Sequence, residues 1–113
     1  MSRTLHARRA ELTDRIDFRA IKDAALQRLP LILLRWLPEG RREGQEWVCR
    51  NPTRADRSPG SFKVNLGTGR WADFATGDRG GDAISLAAYL FGLNQSEAAH
   101  RIADMLGVGE AGR

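Results

Sequence analysis

The chain has 113 residues, of which 42% are hydrophobic, and this allows one domain with a compact core of modest size. No apolar run approaches the roughly 18 residues that a membrane-spanning helix needs, and the basic N-terminus lacks the apolar segment of a signal peptide. Cys49 is the one cysteine, which excludes a disulfide within the chain. We therefore expect a cytoplasmic protein with no membrane partner.

The charge of the chain comes mostly from arginine. The net charge is +4, and the cations are sixteen arginines and two lysines. Two explanations fit this bias. A GC-rich genome favours arginine codons whatever the function, whereas a polyanionic partner favours arginine because a guanidinium binds phosphate bidentately and stacks on bases. Charge alone does not separate the two.

The first predicted element is a helix that follows a polar, arginine-rich leader over 1–15, which we expect to be flexible. Asp17 is a suitable N-cap, because its carboxylate can accept a hydrogen bond from the first turn. The apolar residues after it fall on one helical stripe, namely Phe18, Ile21, Ala24, Ala25 and Leu26. The helix is predicted to end before Pro30, and the apolar stretch 31–37 is predicted to be a strand or a buried connector.

A small antiparallel sheet of three or four strands is predicted next. Its clearest strand is 61–66, where apolar and polar residues alternate with a period of two and Lys63 falls on the polar face. The neighbouring segments are a strand at 46–49, a polar loop at 50–60, a turn at 67–69 and a return strand at 70–74.

Two helices are predicted after the sheet. Each is bounded by a capping residue and a glycine, namely Asp82 and Gly92 for 83–91, and Ser96 and Gly107 for 97–106. The predicted fold class is therefore α+β, a small antiparallel sheet with one leading and two trailing helices. The domain is predicted to cover 16–108, followed by a flexible tail at 109–113.

The stretch from Trp71 to Asp82 runs from an aromatic strand through a glycine-rich turn into an apolar helix. It resembles the second half of the zinc ribbon that begins bacterial and phage DNA primases, where the pattern is aromatic-His-Cys-Phe-Gly-Cys-Gly-x-Gly-Gly-Asp. Further motifs keep the family's order, and the resemblance covers roughly 18–108. They are Trp47 and Cys49 at the first knuckle, Ser58 to Val64 as a strand with one inserted glycine, Gly80-Gly81-Asp82 at the turn, and Glu97-Ala98 in the last helix.

The zinc ligands of this family are largely missing. Cys49 matches the first ligand, and the other three positions fall at Asn51 or Pro52, at Asp73 and at Thr76. A structural zinc site takes four Cys or His ligands, so we expect a degenerate ribbon that binds no zinc and no other cofactor. Asp73 is expected to hydrogen-bond across the former knuckle to Thr76 or to backbone amides. Packing of four aromatic residues is expected to replace the metal's contribution to folding, namely Trp47, Phe62, Trp71 and Phe74.

The resemblance implies a non-catalytic module of a DNA primase or of a primase–helicase from a phage or mobile element. Such a module contacts the single-stranded DNA template during primer synthesis, while polymerisation belongs to a separate catalytic domain. The expected partners are single-stranded DNA and a primase catalytic domain or a replicative helicase. We find no catalytic arrangement in the sequence. The alternative is a protein–protein adaptor that docks such a partner through the helices at 83–106 and binds little DNA itself.

Cations beside aromatic residues on a small sheet are typical of surfaces that bind single strands. Lys63 and Arg70 are the first candidates, because the predicted hairpin brings both towards one groove. The other candidate contacts are Arg50, Arg54, Arg57, Arg79 and Trp71. The glycine turn lacks the Gly-Lys-Ser/Thr ending of a phosphate loop, so Gly80, Gly81 and Asp82 are interpreted as turn and helix-cap residues.

Overall fold

The computed structural model describes residues 16–55 and 60–107. The predicted leader at 1–15, the predicted tail at 109–113 and the candidate contact Arg57 lie outside these ranges. Within the described residues, no helix combines the length and the apolar character that crossing a membrane requires.

Helix α1 spans Phe18–Gln27 and begins where the sequence predicts. Asp17 Oδ1 accepts a hydrogen bond from the backbone N of Ala20 at 2.9 Å, which satisfies one of the unpaired donors of the first turn. The helix buries Ile21 and Ala25 and leaves Phe18 exposed. The stripe at its centre therefore joins the core, whereas its first residue does not.

A second helix, α2, spans Leu29–Trp36, so the prediction of a strand or connector at 31–37 is wrong. Pro30 lies in the first turn, where a proline is tolerated because the missing N–H would have no intrahelical partner there. Leu29, Ile32 and Leu33 are buried along one side of the helix. Leu31 and Leu34 lie on the other side and are 69% and 54% exposed.

In the described residues the sheet has five antiparallel strands that follow one another in chain order. They are β1 (Arg41–Glu43), β2 (Glu46–Cys49), β3 (Phe62–Asn65), β4 (Trp71–Asp73) and β5 (Arg79–Gly80). The sequence predicts the three inner strands and misses the two edge strands. These edges are only three and two residues long, too short to show an alternating pattern.

Helices α3 (Ala83–Phe91) and α4 (Gln95–Leu106) complete the fold. Both end at a glycine in the left-handed conformation, as the sequence predicts. The cap of α4 is Asn94 rather than Ser96, because Asn94 Oδ1 accepts from the N–H of Glu97 while the Glu97 carboxylate accepts from the N–H of Asn94. The α+β class is confirmed, and within the described residues two helices, α1 and α2, precede the sheet where the sequence predicts one.

One face of the sheet carries the core. Trp47, Phe62, Val64 and Trp71 are buried there, together with residues from all four helices. The Trp47 indole nitrogen donates to the Leu37 carbonyl at 3.1 Å, which fastens the end of α2 to the sheet. We call this the inner face. The side chains that alternate with it point to the opposite, outer face, where most are half-buried or exposed.

Candidate nucleic-acid interface

Strand register places one residue from each of the five described strands in a row across the outer face, beginning with Arg41 on β1, which pairs with Val48. Val48 pairs with Lys63, Lys63 with Ala72, and Ala72 with Arg79, on β2 to β5 in turn. Adjacent strands lie about 4.8 Å apart, so Lys63 and Arg79 are roughly 10 Å apart along the row. Ala72 between them is small and leaves the space above it open.

An open groove of about 790 Å³ follows this row on the outer face. Three cations line it, namely Lys63, Arg70 and Arg79, against one carboxylate, Glu46. Lys63 Nζ lies 3.9 Å from Glu46 Oε1, and both side chains are more than a third exposed. Water screens such a pair, so it is weak and leaves Lys63 available to another anion.

Phe74 is the exposed ring of this groove, and the expectation that it packs in the core is wrong. Its side chain is 70% exposed. The Phe74 N–H donates to the Ser61 carbonyl at 2.7 Å, which continues the β3–β4 pairing and sets the ring on the outer face, opposite to Asp73. Lys63 Nζ lies 5.8 Å from the ring centroid, within the range of a cation–π contact.

Trp71, in contrast, is a core residue rather than an exposed contact. It is 5% exposed, and its ring packs against Tyr89 and Phe62 with centroids 4.7 and 5.9 Å apart. Its indole nitrogen donates to Ser85 Oγ at 3.0 Å. A side chain at Gly80 would collide with this indole, so Gly80 serves close packing. The faces of the Trp71 ring are covered and cannot stack on a base.

The remaining candidates lie at different places. Arg70 and Arg79 are exposed in the groove, and among the described residues neither is paired with a carboxylate. Arg50 is exposed on a neighbouring, smaller groove beside Arg41. Asp82 caps α3, accepting from the Ser85 N–H at 2.8 Å, so the start of that helix already has its own carboxylate.

Arg54 points inward, to the buried carboxylate of Asp73. Its Nε lies 2.7 Å from Asp73 Oδ2 and its Nη2 lies 3.1 Å from Oδ1, a bidentate ion pair. Asn51 Nδ2 donates to the same carboxylate at 2.8 Å, and so does the backbone N–H of Ala75. The expected hydrogen bond from a backbone amide to the Asp73 side chain is thus present. The Thr76 hydroxyl does not contact Asp73 and instead accepts a hydrogen bond from the Asp78 N–H.

These contacts lower the pKa of Asp73 far below its usual range. The largest cause is the hydrogen bond from Arg54, which lowers the pKa. Burial comes next and raises the pKa, and the hydrogen bonds from Asn51 and Ala75 lower it further. The folded-state pKa is thus below the value of about 3.9 in the unfolded chain. Ionised Asp73 therefore stabilises the fold at neutral pH, and this contribution is lost as the pH falls below that value.

Tyr89 on α3 extends the network. Its hydroxyl accepts from Asn51 Nδ2 at 2.8 Å and donates to Asp78 Oδ2 at 2.8 Å. Asn51 Oδ1 in turn accepts from the N–H and the hydroxyl of Thr53. Sequence reasoning missed the roles of Asn51 and Tyr89, because no local pattern links two residues 38 positions apart. We call Asn51, Arg54, Asp73 and Tyr89 the polar cluster.

The residues at the positions where the resemblance places zinc ligands do not fit zinc. Cys49 supplies one buried thiol, Asn51 is an amide, and the Asp73 carboxylate is held by a guanidinium cation. In the described ranges 16–55 and 60–107, no three Cys, His, Asp or Glu residues are grouped closely enough to hold a metal. A structural zinc site takes four Cys or His ligands, and these positions supply one, Cys49.

Neither a protein-family model nor a curated protein matches the sequence. Among solved structures, the chain is similar to the Aquifex aeolicus primase in a structure of its zinc-binding and RNA polymerase domains. The TM-score is 0.58 and the sequences are 22% identical; the match covers 87% of this chain and 21% of the other, so the chain spans about a fifth of that relative's length. At this identity the likeness is one of fold alone, and the chain shares its fold with part of that primase structure.

Proposed function

We propose that this domain binds single-stranded nucleic acid along the outer face of its sheet, as a non-catalytic module of a DNA primase or primase–helicase. The observation that carries the proposal is Phe74, a ring 70% exposed beside Lys63 in a groove lined with cations. Proteins that bind single strands combine rings that stack on bases with cations that neutralise phosphates. Both parts are present in one groove.

The cations differ in whether they have a carboxylate partner, and this difference supports the proposal. Arg54 is paired with a buried carboxylate, whereas Arg70 and Arg79 extend into the groove. A guanidinium without a carboxylate partner can take a phosphate without first losing an ion pair. We therefore assign the contacts to Lys63, Arg70, Arg79 and Phe74, with Arg50 at the margin.

The primase context rests on two supports, the motifs in the sequence and the likeness of fold to a primase. In this context the ligand is a single-stranded DNA template, and polymerisation takes place in a separate catalytic domain. That catalytic domain or a replicative helicase is the proposed protein partner, and the cytoplasm is the proposed location.

Replacing Phe74 with alanine tests the proposal. We expect single-stranded DNA binding to weaken on the order of 10-fold or more, because one stacked base contributes about 1–3 kcal/mol. The fold should be unaffected, since the ring is exposed. Fluorescence anisotropy with a labelled oligothymidylate at low salt measures the change.

Phe18→Ala is the matched control, since Phe18 is an exposed phenylalanine on α1 that does not line the groove. It should bind like the unmodified domain. Equal affinities for Phe74→Ala and the unmodified domain would contradict stacking on this ring. Absence of binding to any single strand at low salt would contradict the function as a whole.

The exposed side of α2 favours a second candidate, the protein–protein adaptor. The docking face that the sequence predicts on the helices at 83–106 is largely in the core, where α3 and α4 bury most of their apolar residues. Leu31 and Leu34 are instead exposed, and Arg35 beside them is exposed too. An adaptor would dock a partner with an apolar and acidic surface here.

The adaptor predicts a separable result. Leu31→Ser/Leu34→Ser should abolish binding to a purified primase catalytic domain or helicase in calorimetry and should leave DNA binding unchanged. Phe74→Ala is the control, since it should retain the protein partner. If the double substitution leaves calorimetric binding intact, α2 is not the docking surface.

A further inference from the structure

The polar cluster lies where two loops meet at one end of the sheet. Cys49 ends β2 and Asp73 ends β4, and both are paired with Phe62 on β3 between them. The loop that follows Cys49 carries Asn51 and Arg54, and the turn that follows Asp73 carries Ala75 and Asp78. In a zinc ribbon, a metal ion holds two such loops together.

We propose that the guanidinium of Arg54 is an internal structural cation that joins these two loops in place of a metal ion. A zinc ion in a ribbon is a cation that side chains from both loops bind. Here the cation is the Arg54 guanidinium, which belongs to one loop and binds the Asp73 carboxylate at the start of the other. The guanidinium is planar and permanently charged, so it can hold both carboxylate oxygens at once.

The contacts around Arg54 extend beyond the two loops to β3 and, through Asn51 and Tyr89, to α3. Besides the two bonds to Asp73, its Nη2 donates to Ser61 Oγ at 3.3 Å, just before β3. Asn51 links the same carboxylate to Tyr89 on α3, and Tyr89 links onward to Asp78. One connected network thus joins both loops to the middle of the sheet and to a helix.

Burial explains why this cation belongs to the fold and not to the groove. Asp73 is fully buried, whereas the Arg54 side chain is 30% exposed. If Arg54 turned outward to a phosphate, an ionised carboxylate would remain buried with no cation beside it, which is strongly unfavourable. Arg54 is therefore removed from the set of nucleic-acid contacts that the sequence suggests.

A double-mutant cycle tests the inference. Arg54→Met keeps the length of the side chain and removes its charge; Asp73→Asn keeps an acceptor for Ala75 and also removes a charge. We expect Arg54→Met to lower the thermal midpoint by more than about 10 °C, because it leaves a buried charge unpaired. Adding Asp73→Asn to it should restore part of the loss. Arg50→Met, at an exposed arginine in the same loop, should shift the midpoint by only a few degrees.

The same samples show whether the stability of the domain depends on a metal ion. We expect neither a chelator nor one equivalent of zinc to shift the midpoint of the unmodified domain. A midpoint lowered by the chelator would overturn the inference. So would an Arg54→Met effect no larger than that of Arg50→Met, or a double variant as unstable as Arg54→Met. If Arg54→Met does not fold, the circular-dichroism signal of the double variant is the test: a folded signal supports the inference, and an unfolded signal contradicts it. No nucleic acid is present, so the outcome is independent of the proposed function.

Discussion

Replacing Phe62 with alanine is expected to remove about 3–5 kcal/mol from the free energy of unfolding. Phe62 is fully buried at the centre of the inner face, between the strands that end in Cys49 and Asp73. Its ring lies 5.9 Å from Trp71 and 6.2 Å from Tyr89, centroid to centroid. A domain has about 5–15 kcal/mol of stability in total, so this loss is a large fraction of it.

Lys63→Ala is the control for this measurement, because it alters the next residue on the same strand but on the outer face. Urea unfolding should show a change of less than about 1 kcal/mol for Lys63→Ala. If Phe62→Ala and Lys63→Ala unfold at similar urea concentrations, the assignment of the two faces is incorrect.

Removing the three groove cations together is the second large effect that we expect. In Lys63→Ala/Arg70→Ala/Arg79→Ala, the slope of log affinity against log salt should become less negative by about 2, since each lost phosphate contact on a single strand contributes about 0.7. At 50 mM salt, binding to an oligothymidylate should weaken on the order of 100-fold. Anisotropy titrations at four or five salt concentrations measure both quantities.

The matched control removes three exposed arginines on the helical side, Arg19, Arg28 and Arg35. It has the same net charge as the groove variant, and we expect it to retain most of the affinity and most of the slope. An equal loss in both variants would show that binding depends on overall charge and not on the groove.

Local signals explain which parts of the fold follow from the sequence. Asp17 begins α1 and Gly92 ends α3 through contacts within a few residues, so each is visible in a short window. The alternation in β3 likewise fixes which side chains share a face. The sequence does not predict helix α2, because the apolar residues 31–34 show no evident period and because Pro30 indicates the end of the preceding helix, whereas it lies in the first turn of α2.

The candidate site was harder to predict because the two rings of the return strand differ: Trp71 packs in the core, as one of its two predictions has it, whereas Phe74, expected in the core, is exposed. Strand alternation puts Trp71 with Asp73 on one face and Phe74 on the other. A carboxylate is rarely buried without a partner, so Asp73 is not expected inside from sequence alone. Its partner Arg54 lies 19 residues earlier, in a loop without a repeating pattern. Only the folded chain shows the pair, and with it the correct face for each ring.

Strand β5 is a short edge of the sheet, and its Arg79 also affects how that edge can pair with other strands. An edge strand leaves backbone donors and acceptors unpaired, and these can pair with the edge of another copy of the chain. Here the edge is two residues long and carries an exposed arginine, and the opposite edge β1 carries Arg42 beside the ion pair of Arg41 and Glu43. Positive charge at both edges opposes the joining of two sheets into one. The arginine that faces the groove thus also disfavours the pairing of a second strand with β5.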